Sequence, residues 1–345
     1  MLTIFGDVHL GVQRSSNTTP TSRQRLQQCI QSAVEAILDR PGEKICLGDL
    51  FDCASNPENV IQDGSGVVGR TTLTLAGNHD LINDSTKLSS LQLVAEFHPR
   101  KVAITPFGEA GIHVQTIGGV HTVSIPHTTT QALFDESLEM AVQHVTTTTA
   151  SVGMPRILLF HANFDSPYEL TETSINLTPE WAERLLNRGY QYVIGGHEHN
   201  GRDLYDGRLI MLGNIFCTGF SDISDKRIAI LDGKGLRFEG VWDVSTGYDE
   251  INVNDEDIVV EDSVQFVRVV GQVASDAIAS VSHDIASLWR DNPNLLAVKS
   301  EVQVTEMQKQ DTSGTELTAE TLPALVEREL ASDPAMQAMW QEFTS

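Results

Sequence analysis

Five short motifs in this chain carry side chains that bind metal ions. In chain order they are Asp7-Val8-His9, Gly48-Asp49-Leu50-Phe51-Asp52, Gly77-Asn78-His79-Asp80, His161 and Gly196-His197-Glu198-His199. Their carboxylate, amide and imidazole groups suffice for two divalent cations. Two cations about 3.5–4 Å apart can hold both the attacking and the leaving oxygen of a phosphate ester. The motifs therefore predict a dinuclear centre that hydrolyses phosphate esters.

The spacing within the motifs explains how neighbouring donors can share a cation. Asp7 and His9 are two residues apart, and such residues face the same side of a strand or its extension. Asp49 follows an apolar run, where its two oxygens can bridge two cations. His197 and His199 follow a pair of glycines that leave the backbone free to turn. Both imidazoles can then point into one cleft.

The third motif combines a ligand with a candidate acid. Asn78 offers a neutral oxygen, whereas His79 can point the other way, toward the substrate. Held by Asp80, His79 suits a general acid that protonates the leaving alkoxide or fixes the scissile phosphate. Taken alone, residues 77–80 are better explained as a tight turn, but the following sequence and the other four motifs strongly favour the functional interpretation. Asp52 either supports the metal ligands or caps the next loop, and the support role is favoured.

The complete donor set constrains the metal. The predicted ligands are Asp7, His9, Asp49, Asn78, His161, His197 and His199. This mixture without a thiolate favours Mn²⁺, Fe²⁺ or Zn²⁺ over Ca²⁺ or a structural zinc. A hydroxide bridging the two metals is the expected nucleophile, since bound water loses its proton near neutral pH. The remaining histidines are interpreted as structural, except that His127 is a candidate for lining the substrate cleft.

The elements that must position these donors are strands that end just before them. Apolar runs predict strands at residues 2–5, 44–47, 72–76, 120–126, 156–160, 190–194, 209–212 and 228–231. Helical periodicity predicts helices over about 22–38 and 134–144, and from Thr178 onward. Ligands collect at the carboxyl ends of strands in such sheets. The fold class is therefore predicted as α/β (α+β), a two-sheet sandwich flanked by helices.

The chain is predicted to continue beyond this domain. Residues 1–248 form the predicted catalytic domain, and the acidic stretch 249–262 reads as a linker. Residues 263–306 have the pattern of a small βαβ module. Residues 315–345 are predicted to be helical. Their amphipathic part, 322–343, either docks a partner or packs against the chain's own domain.

The composition limits the functions that the chain can have alone. Its net charge is −24, from 47 acidic and 23 basic residues. This argues against strong unaided binding to a phosphate backbone. The acidity either only keeps the protein soluble, or indicates that a partner supplies the affinity for nucleic acid.

No apolar run approaches the roughly 20 residues of a membrane span. The start of the chain lacks the features of a signal peptide, and four cysteines without paired spacing indicate reduced thiols. A cytoplasmic protein is expected.

In this order the five motifs resemble those of the calcineurin-like metallophosphoesterase superfamily. The forms Asp7-Val8-His9-Leu10-Gly11 and Gly48-Asp49-Leu50-Phe51-Asp52 are similar to the DxHLG and GDLFD motifs of Mre11/SbcD-type nuclease subunits. The module at 264–304 resembles the capping domain of that branch. The length and the terminal helical segment resemble phage recombination nuclease subunits.

The resemblance implies a role for each matching residue. The first metal would be bound by Asp7, His9 and His199, the second by Asn78, His161 and His197, and both by Asp49. His79 would be the catalytic histidine, oriented by Asp80. The reaction would be hydrolysis of DNA phosphodiesters in recombination, repair or replication, as a 3′→5′ exonuclease, with endonuclease activity left open. Mn²⁺ would be the cofactor, with Mg²⁺, Fe²⁺ or Zn²⁺ as alternatives. The implied partners are DNA and a Rad50/SbcC-like ATPase, with a homodimer inside a heterotetramer, in the host cytoplasm if the chain is phage-encoded.

Two other functions fit part of the pattern. A phosphomonoesterase, or a phosphodiesterase acting on cyclic nucleotides or other small molecules, would share the site chemistry, so the motifs alone do not separate it from a nuclease. The extra module after residue 260 favours the nuclease, because a small-molecule esterase does not need it. A non-enzymatic scaffold is disfavoured, since every ligand and His79 are present.

Overall fold

The described part of the chain contains six helices and seventeen strands. The computed structural model describes residues 1–12, 18–82, 86–147, 154–166, 175–222, 224–242, 247–254 and 258–305. The helices are α1 Pro20–Leu38, α2 Glu58–Arg70, α3 Ser90–Phe97, α4 Gln131–Thr147, α5 Pro179–Asn187 and α6 Ile278–Asp291. None of these helices is long and apolar enough to cross a membrane.

The strands alternate with the helices in the first half of the chain and dominate the second half. In chain order they are β1 Leu2–Phe5, β2 Glu43–Cys46, β3 Leu73–Leu75, β4 Val102–Ala103, β5 His113–Ile117, β6 Val120–Ile125, β7 Arg156–His161, β8 Asn163–Phe164, β9 Asn176–Leu177, β10 Tyr192–Gly196, β11 Arg202–Leu204, β12 Leu209–Met211, β13 Lys226–Asp232, β14 Gly235–Trp242, β15 Tyr248–Asn252, β16 Phe266–Ala274 and β17 Ala297–Thr305.

Two six-stranded sheets form the main body. The first has the order β14-β13-β1-β2-β3-β4, and β1 to β4 are parallel. The second has the order β11-β12-β10-β7-β6-β5, with β12, β10, β7 and β6 parallel. Apolar side chains from both sheets, such as Ile4, Ile45, Leu159 and Ile194, form one buried cluster. The predicted two-sheet sandwich is therefore confirmed.

The outer face of the second sheet is covered by α4 and α5. Phe160 and Val193 belong to a buried cluster that also contains Phe134 and Leu138 of α4 and Leu185 of α5. Full burial of a side chain of this size contributes about 1.5–3 kcal/mol. Because these strands are buried on both faces, they appear in the sequence as continuous apolar runs, without polar alternation.

Helix α2 follows the second motif and is absent from the sequence prediction. Three glycines interrupt its helical pattern, and each lowers the helix propensity by about 1 kcal/mol relative to alanine. Close packing against Phe51 explains the glycine at position 64. A Cβ atom there would lie 2.3 Å from the ring of Phe51. The glycine therefore lets Phe51, which is fully buried, contact the helix backbone.

The described residues divide into two compact units. The first holds those between 1 and 13 and between 26 and 244, and the second those between 14 and 25 and from 245 on. In the second, β15, β16 and β17 form a parallel sheet with α6. Strand β15 overlaps the start of residues 249–262, the stretch predicted to be a linker. Its only buried side chain is Ile251, so it lacks a readable pattern. The predicted helical segment 315–345 lies outside the described residues.

A pair of stacked histidines joins α4 to the second sheet. The Nε2 atoms of His121 and His144 are 3.0 Å apart, and the two rings are nearly parallel. Burial, and the positive charge of Arg156 on the neighbouring strand, lower the pKa of both histidines; His144 itself also lowers the pKa of His121. The folded protein therefore resists protonation of this pair.

We expect this pair to make the protein less stable in acid. Below the unfolded pKa of about 6.5 the unfolded chain binds more protons than the folded one, so the free energy of unfolding falls as pH falls. His144→Gln removes one of the two titrating groups. Between about pH 7.5 and about pH 5.5, the metal-free variant should lose less thermal stability than the metal-free wild type. Equal losses in calorimetry would contradict this assignment.

Candidate metal centre

The predicted donors lie where parallel strands of both sheets end. Asp7 comes two residues after β1, Asp49 and Asn78 each come three residues after β2 and β3, His161 ends β7, and His197 follows β10 directly. The carboxyl ends of parallel strands share one edge of a sheet, which is where ligands are bound in such folds. The two sheets thus supply the two halves of one site.

Three of the donor residues have a left-handed backbone. The φ angles are 55° at His9, 46° at Asp49 and 85° at His197. Side-chain-bearing residues rarely adopt this region, and such strain concentrates at functional sites. Gly48 also has a positive φ, and a Cβ atom on it would lie 2.4 Å from Nδ1 of His161. The backbone is therefore bent to bring ligand side chains into one small space.

The first donor group consists of Asp7, His9 and His199. Their ligand atoms all lie within 4.8 Å of one another. The Nε2 atoms of the two histidines are 3.0 Å apart. Asp7 also accepts hydrogen bonds from the backbone N–H of His197. The three residues predicted for the first metal are thus brought together.

The second donor group consists of Asp49, His161 and His197, whose ligand atoms also lie within 4.8 Å of one another. Asn78 joins them through Oδ1, which is 3.0 Å from Nε2 of His161 and 2.8 Å from Nδ1 of His197. Nδ1 of His161 lies 2.8 Å from the carbonyl oxygen of Leu47, so Nε2 faces the group. All residues predicted for the second metal converge here.

Asp49 is rigidly held. Its Oδ1 accepts the backbone N–H of His79 at 2.9 Å, and Oδ2 lies 3.4 Å from Nε2 of His161. Burial alone would raise the pKa of Asp49, but the adjacent His161 holds it well below the usual range. Burial opposes protonation of His161, yet Asp49 raises its pKa to about 9. A Cβ atom on Gly77 would lie 2.1 Å from Asp49 Oδ1, so a residue with a side chain would not fit at this position.

The residues present fit a pair of divalent cations. The side chains of Asp7, Asp49 and His161 are almost completely buried, and buried charge is stable only when it is compensated. The converging donors are carboxylate, amide and imidazole, which suit Mn²⁺, Fe²⁺ or Zn²⁺. Asp7 with His9 and His199 would hold one cation, and Asn78 with His161 and His197 the other, with Asp49 shared.

His79 and Asp80 lie at the edge of this centre with distinct contacts. Nδ1 of His79 is 2.6 Å from the carbonyl oxygen of Asp52. The carboxylate of Asp80 accepts the backbone N–H groups of Gly77, Leu50 and Phe51. Asp80 therefore fixes the backbone of the turn that carries His79. The contact to the imidazole itself comes from Asp52, which differs from the predicted orientation of His79 by Asp80.

Asp52 contacts two residues of the site. In addition to its carbonyl contact with His79, its Oδ1 lies 3.4 Å from Nδ1 of His9. A carboxylate beside the second nitrogen of a metal-binding histidine orients the ring and makes it a stronger ligand. These contacts agree with the support role predicted for Asp52.

Asp222 is a part of the site that the sequence analysis misses. Its Oδ1 lies 3.0 Å from Nδ1 of His199, and Oδ2 accepts hydrogen bonds from Asn214 and Thr218. The buried Lys226 donates to the backbone carbonyl of His199. Burial opposes ionisation of Asp222, but the bond from His199 lowers its pKa well below the usual range. Asp222 lies 23 residues after His199, and no sequence motif links the two positions.

We expect Asp222→Asn to weaken one metal site selectively. An asparagine cannot accept all four hydrogen bonds that the carboxylate accepts, so His199 loses its fixed orientation. Loss of such a partner typically reduces metal affinity by about 10–100-fold. Titration of the metal-free protein with Mn²⁺ in a calorimeter should show one weakened step. The exposed Asp225→Asn is the matched control, and equal affinities in both variants would contradict this role.

Glu198, between the two histidines of the fifth motif, links two ligand-bearing loops. Its Oε1 accepts the backbone N–H of Phe164 at 2.7 Å, and both of its oxygens accept hydrogen bonds from Arg202. Arg202 in turn donates to the carbonyl oxygen of Phe164 and lies over its ring. The segment after His161 is thereby tied to the loop that carries His197 and His199. This contact, too, carries no signal in the sequence.

Comparison with known proteins identifies the motif-bearing part of the chain. The family model described as calcineurin-like phosphoesterase matches residues 1–201. Among solved structures, a 5′-nucleotidase precursor from Thermus thermophilus is similar, with 15% sequence identity and a TM-score of 0.38. The match covers 69% of this chain and 53% of that one, so this chain spans about half of its length. Comparison with curated proteins gives no match.

Proposed function

We propose, because this chain belongs to the calcineurin-like phosphoesterase family, that its metal centre hydrolyses DNA phosphodiesters. Family membership and the donor groups support the coarser activity, metal-dependent phosphoester hydrolysis. The finer proposal is a 3′→5′ exonuclease, with endonuclease activity as a second mode. It would act in recombination, repair or replication with a Rad50/SbcC-like ATPase, in the cytoplasm.

One structural observation supports DNA as the proposed substrate. The flanks that resemble Mre11/SbcD-type nucleases, Leu10-Gly11 and Phe51-Asp52, are joined to each other in the structure. Leu10 and Phe51 form a parallel β-bridge, and the N–H of Asp52 donates to the carbonyl oxygen of Leu10 at 2.9 Å. Both apolar side chains are buried. The flanks therefore fix the relative position of the two loops that carry Asp7, His9 and Asp49, which supports treating them as one signature.

The side chains of the site divide the work of hydrolysis. Two bound cations would polarise the phosphate and activate water as the nucleophile at neutral pH. The two donor groups would hold the two cations, with Asp49 shared between them. Nδ1 of His79 is engaged with the Asp52 carbonyl, so Nε2 is the atom that can hold a phosphate oxygen or give a proton to the leaving alkoxide. Asp52 and Asp222 orient His9 and His199.

The charge distribution supports a partner that grips the DNA. The net charge is −24, and cationic side chains in the described part are often neutralised by acidic neighbours. Arg70 pairs with Glu35 and Asp39, and Arg227 pairs with Asp203. Affinity for a duplex depends on cations that displace its counterions. An ATPase subunit, bound as part of a heterotetramer with a homodimer of this chain, would supply them.

A side-by-side assay tests the proposal. With Mn²⁺, the chain should cleave linear duplex DNA, and more strongly when a Rad50/SbcC-like ATPase and ATP are added. Cleavage should disappear in EDTA and return with Mn²⁺. The comparison substrate is p-nitrophenyl phosphate. Rapid hydrolysis of this monoester without any DNA cleavage, with or without the ATPase, would contradict the nuclease and favour a small-molecule phosphoesterase.

A further inference from the structure

An open recess lies beside the second donor group. Its lining includes Leu81 and Ile82, which follow the third motif, together with Thr105, Phe107 and His127. It encloses about 360 Å³ of free space, part of which is open solvent. None of its lining residues is a predicted metal ligand, so the metal centre does not account for it.

The recess adjoins the position where a phosphate would be held. The rings of His127 and His161 meet edge to face, with centroids 6.2 Å apart. The backbone N–H of His127 donates to the carbonyl oxygen of Ala76, two residues before Asn78. Leu81 directly follows the motif that contains His79. A group esterified to a phosphate at this side of the centre would therefore extend into the recess.

Two buried polar atoms of the lining have no hydrogen-bond partner in the described part of the chain. They are Oγ1 of Thr105 and Nδ1 of His127. Only 7% of Thr105 is exposed. Buried polar atoms are nearly always paired, and an unpaired one is costly. A hydroxyl can donate and accept, and an imidazole nitrogen can do either according to its tautomer. Both atoms are shielded from solvent, so a polar ligand in the recess could satisfy them once the Thr105 or His127 side chain rotates toward it.

The remaining lining disfavours an anion and includes an exposed aromatic ring. Among the described lining residues, Glu109 is the only charged side chain, so a second phosphate would be repelled. Leu81 and Ile82 are apolar. Phe107 is 55% exposed and offers an aromatic face at the rim. Aromatic side chains of this kind stack on nucleobases irrespective of sequence.

We propose that this recess is a nucleoside subsite, which receives the base and sugar of a nucleotide esterified to the scissile phosphate. Phe107 stacks on the base, and Thr105 and His127 form hydrogen bonds with the base or the sugar. The inference rests on the proposed phosphodiesterase function of the neighbouring centre. The same chemistry would recognise a nucleotide of a DNA end or a free nucleotide ester, and the test separates these sources.

Direct binding is the first arm of the test. Saturation-transfer NMR on the full chain should show contact with thymidine and a weaker signal with 2-deoxyribose. Phe107→Ala should weaken thymidine binding on the order of 10-fold, as expected for loss of one stacking contact. Thr105→Val, which keeps the side-chain shape, should also weaken it. The matched control is Phe97→Ala, since Phe97 is 80% exposed on α3 and outside the recess. An undetectable thymidine signal, or one unchanged in Phe107→Ala, would overturn the proposal.

Kinetics form the second arm. With Mn²⁺, the wild type should prefer the p-nitrophenyl ester of thymidine 5′-phosphate over the same ester of a sugar phosphate without a base. Phe107→Ala should reduce this ratio of kcat/KM by about 10-fold, whereas Phe97→Ala should keep it. An unchanged ratio in Phe107→Ala overturns the subsite. Base preference on these esters without cleavage of duplex DNA supports the subsite for free nucleotide esters and contradicts the proposed nuclease.

Discussion

Asp49→Asn is expected to reduce phosphodiester hydrolysis on the order of 10³-fold or more. Asp49 belongs to the second donor group and is the residue proposed to bridge both cations. The substitution removes its negative charge from a fully buried position. Loss of a single electrostatic contact to a reacting oxygen alone costs about 10²–10³-fold, and here the binding of both cations also weakens. The fold should survive. Asparagine tolerates the left-handed backbone found at Asp49, and its side-chain oxygen can still accept the N–H of His79.

The matched control for Asp49→Asn is Asp206→Asn. Asp206 also has a left-handed backbone, with a φ of 57°, but it is exposed in the turn before β12. The control should retain full hydrolysis and full Mn²⁺ binding in calorimetric titration. If Asp49→Asn binds Mn²⁺ as the wild type does and hydrolyses DNA at a similar rate, Asp49 does not bridge the metals.

His79→Ala is expected to separate metal binding from chemistry. The imidazole lies beside His9, with ring centroids 5.2 Å apart, and is proposed to act on the leaving group. General acid catalysis typically contributes about 10²–10⁴-fold. The backbone N–H of His79, which holds Asp49, is kept by alanine. The variant should therefore bind Mn²⁺ like the wild type and lose most of its kcat. A leaving group that needs no proton, such as p-nitrophenolate, should restore much of the rate.

His283→Ala serves as the control for this variant, because His283 is an exposed histidine of α6 in the second unit. It should leave both Mn²⁺ binding and DNA cleavage unchanged. Unaltered cleavage in His79→Ala would remove His79 from the mechanism. A parallel loss of metal affinity would instead make it a ligand, in line with its position near His9 and Asp52.

The donor positions could be predicted because strand and ligand are adjacent in the sequence. Buried parallel strands appear as apolar runs, and Asp7, Asp49 and Asn78 each follow such a run after a single glycine. The two-sheet sandwich follows from the same alternation of strands and helices. Helix α5 was also readable, because Thr178 and Pro179 provide a cap and a first-turn proline. The Thr178 hydroxyl accepts the N–H of Trp181, as a cap should.

The contacts that tune the site could not be predicted, because they join residues far apart in the chain. Asp222 reaches His199, and Glu198 reaches Phe164; neither pair has a spacing that periodicity would detect. Asp80 was expected to touch the adjacent imidazole, yet its carboxylate binds backbone N–H groups of the facing loop. Helix α2 was hidden by its glycines, and Gly64 is explained only by the ring of Phe51. The predicted domain boundaries and the docking segment stay predictions.

The number of metal ions needed for hydrolysis tests the account most directly. The metal-free chain is titrated with Mn²⁺, and bound metal per chain is measured beside the rate of duplex cleavage at each step. A bridging Asp49 between two donor groups predicts two ions per chain, with cleavage that develops only as the second ion binds. Full cleavage by a chain that holds one ion or none would contradict a two-metal centre.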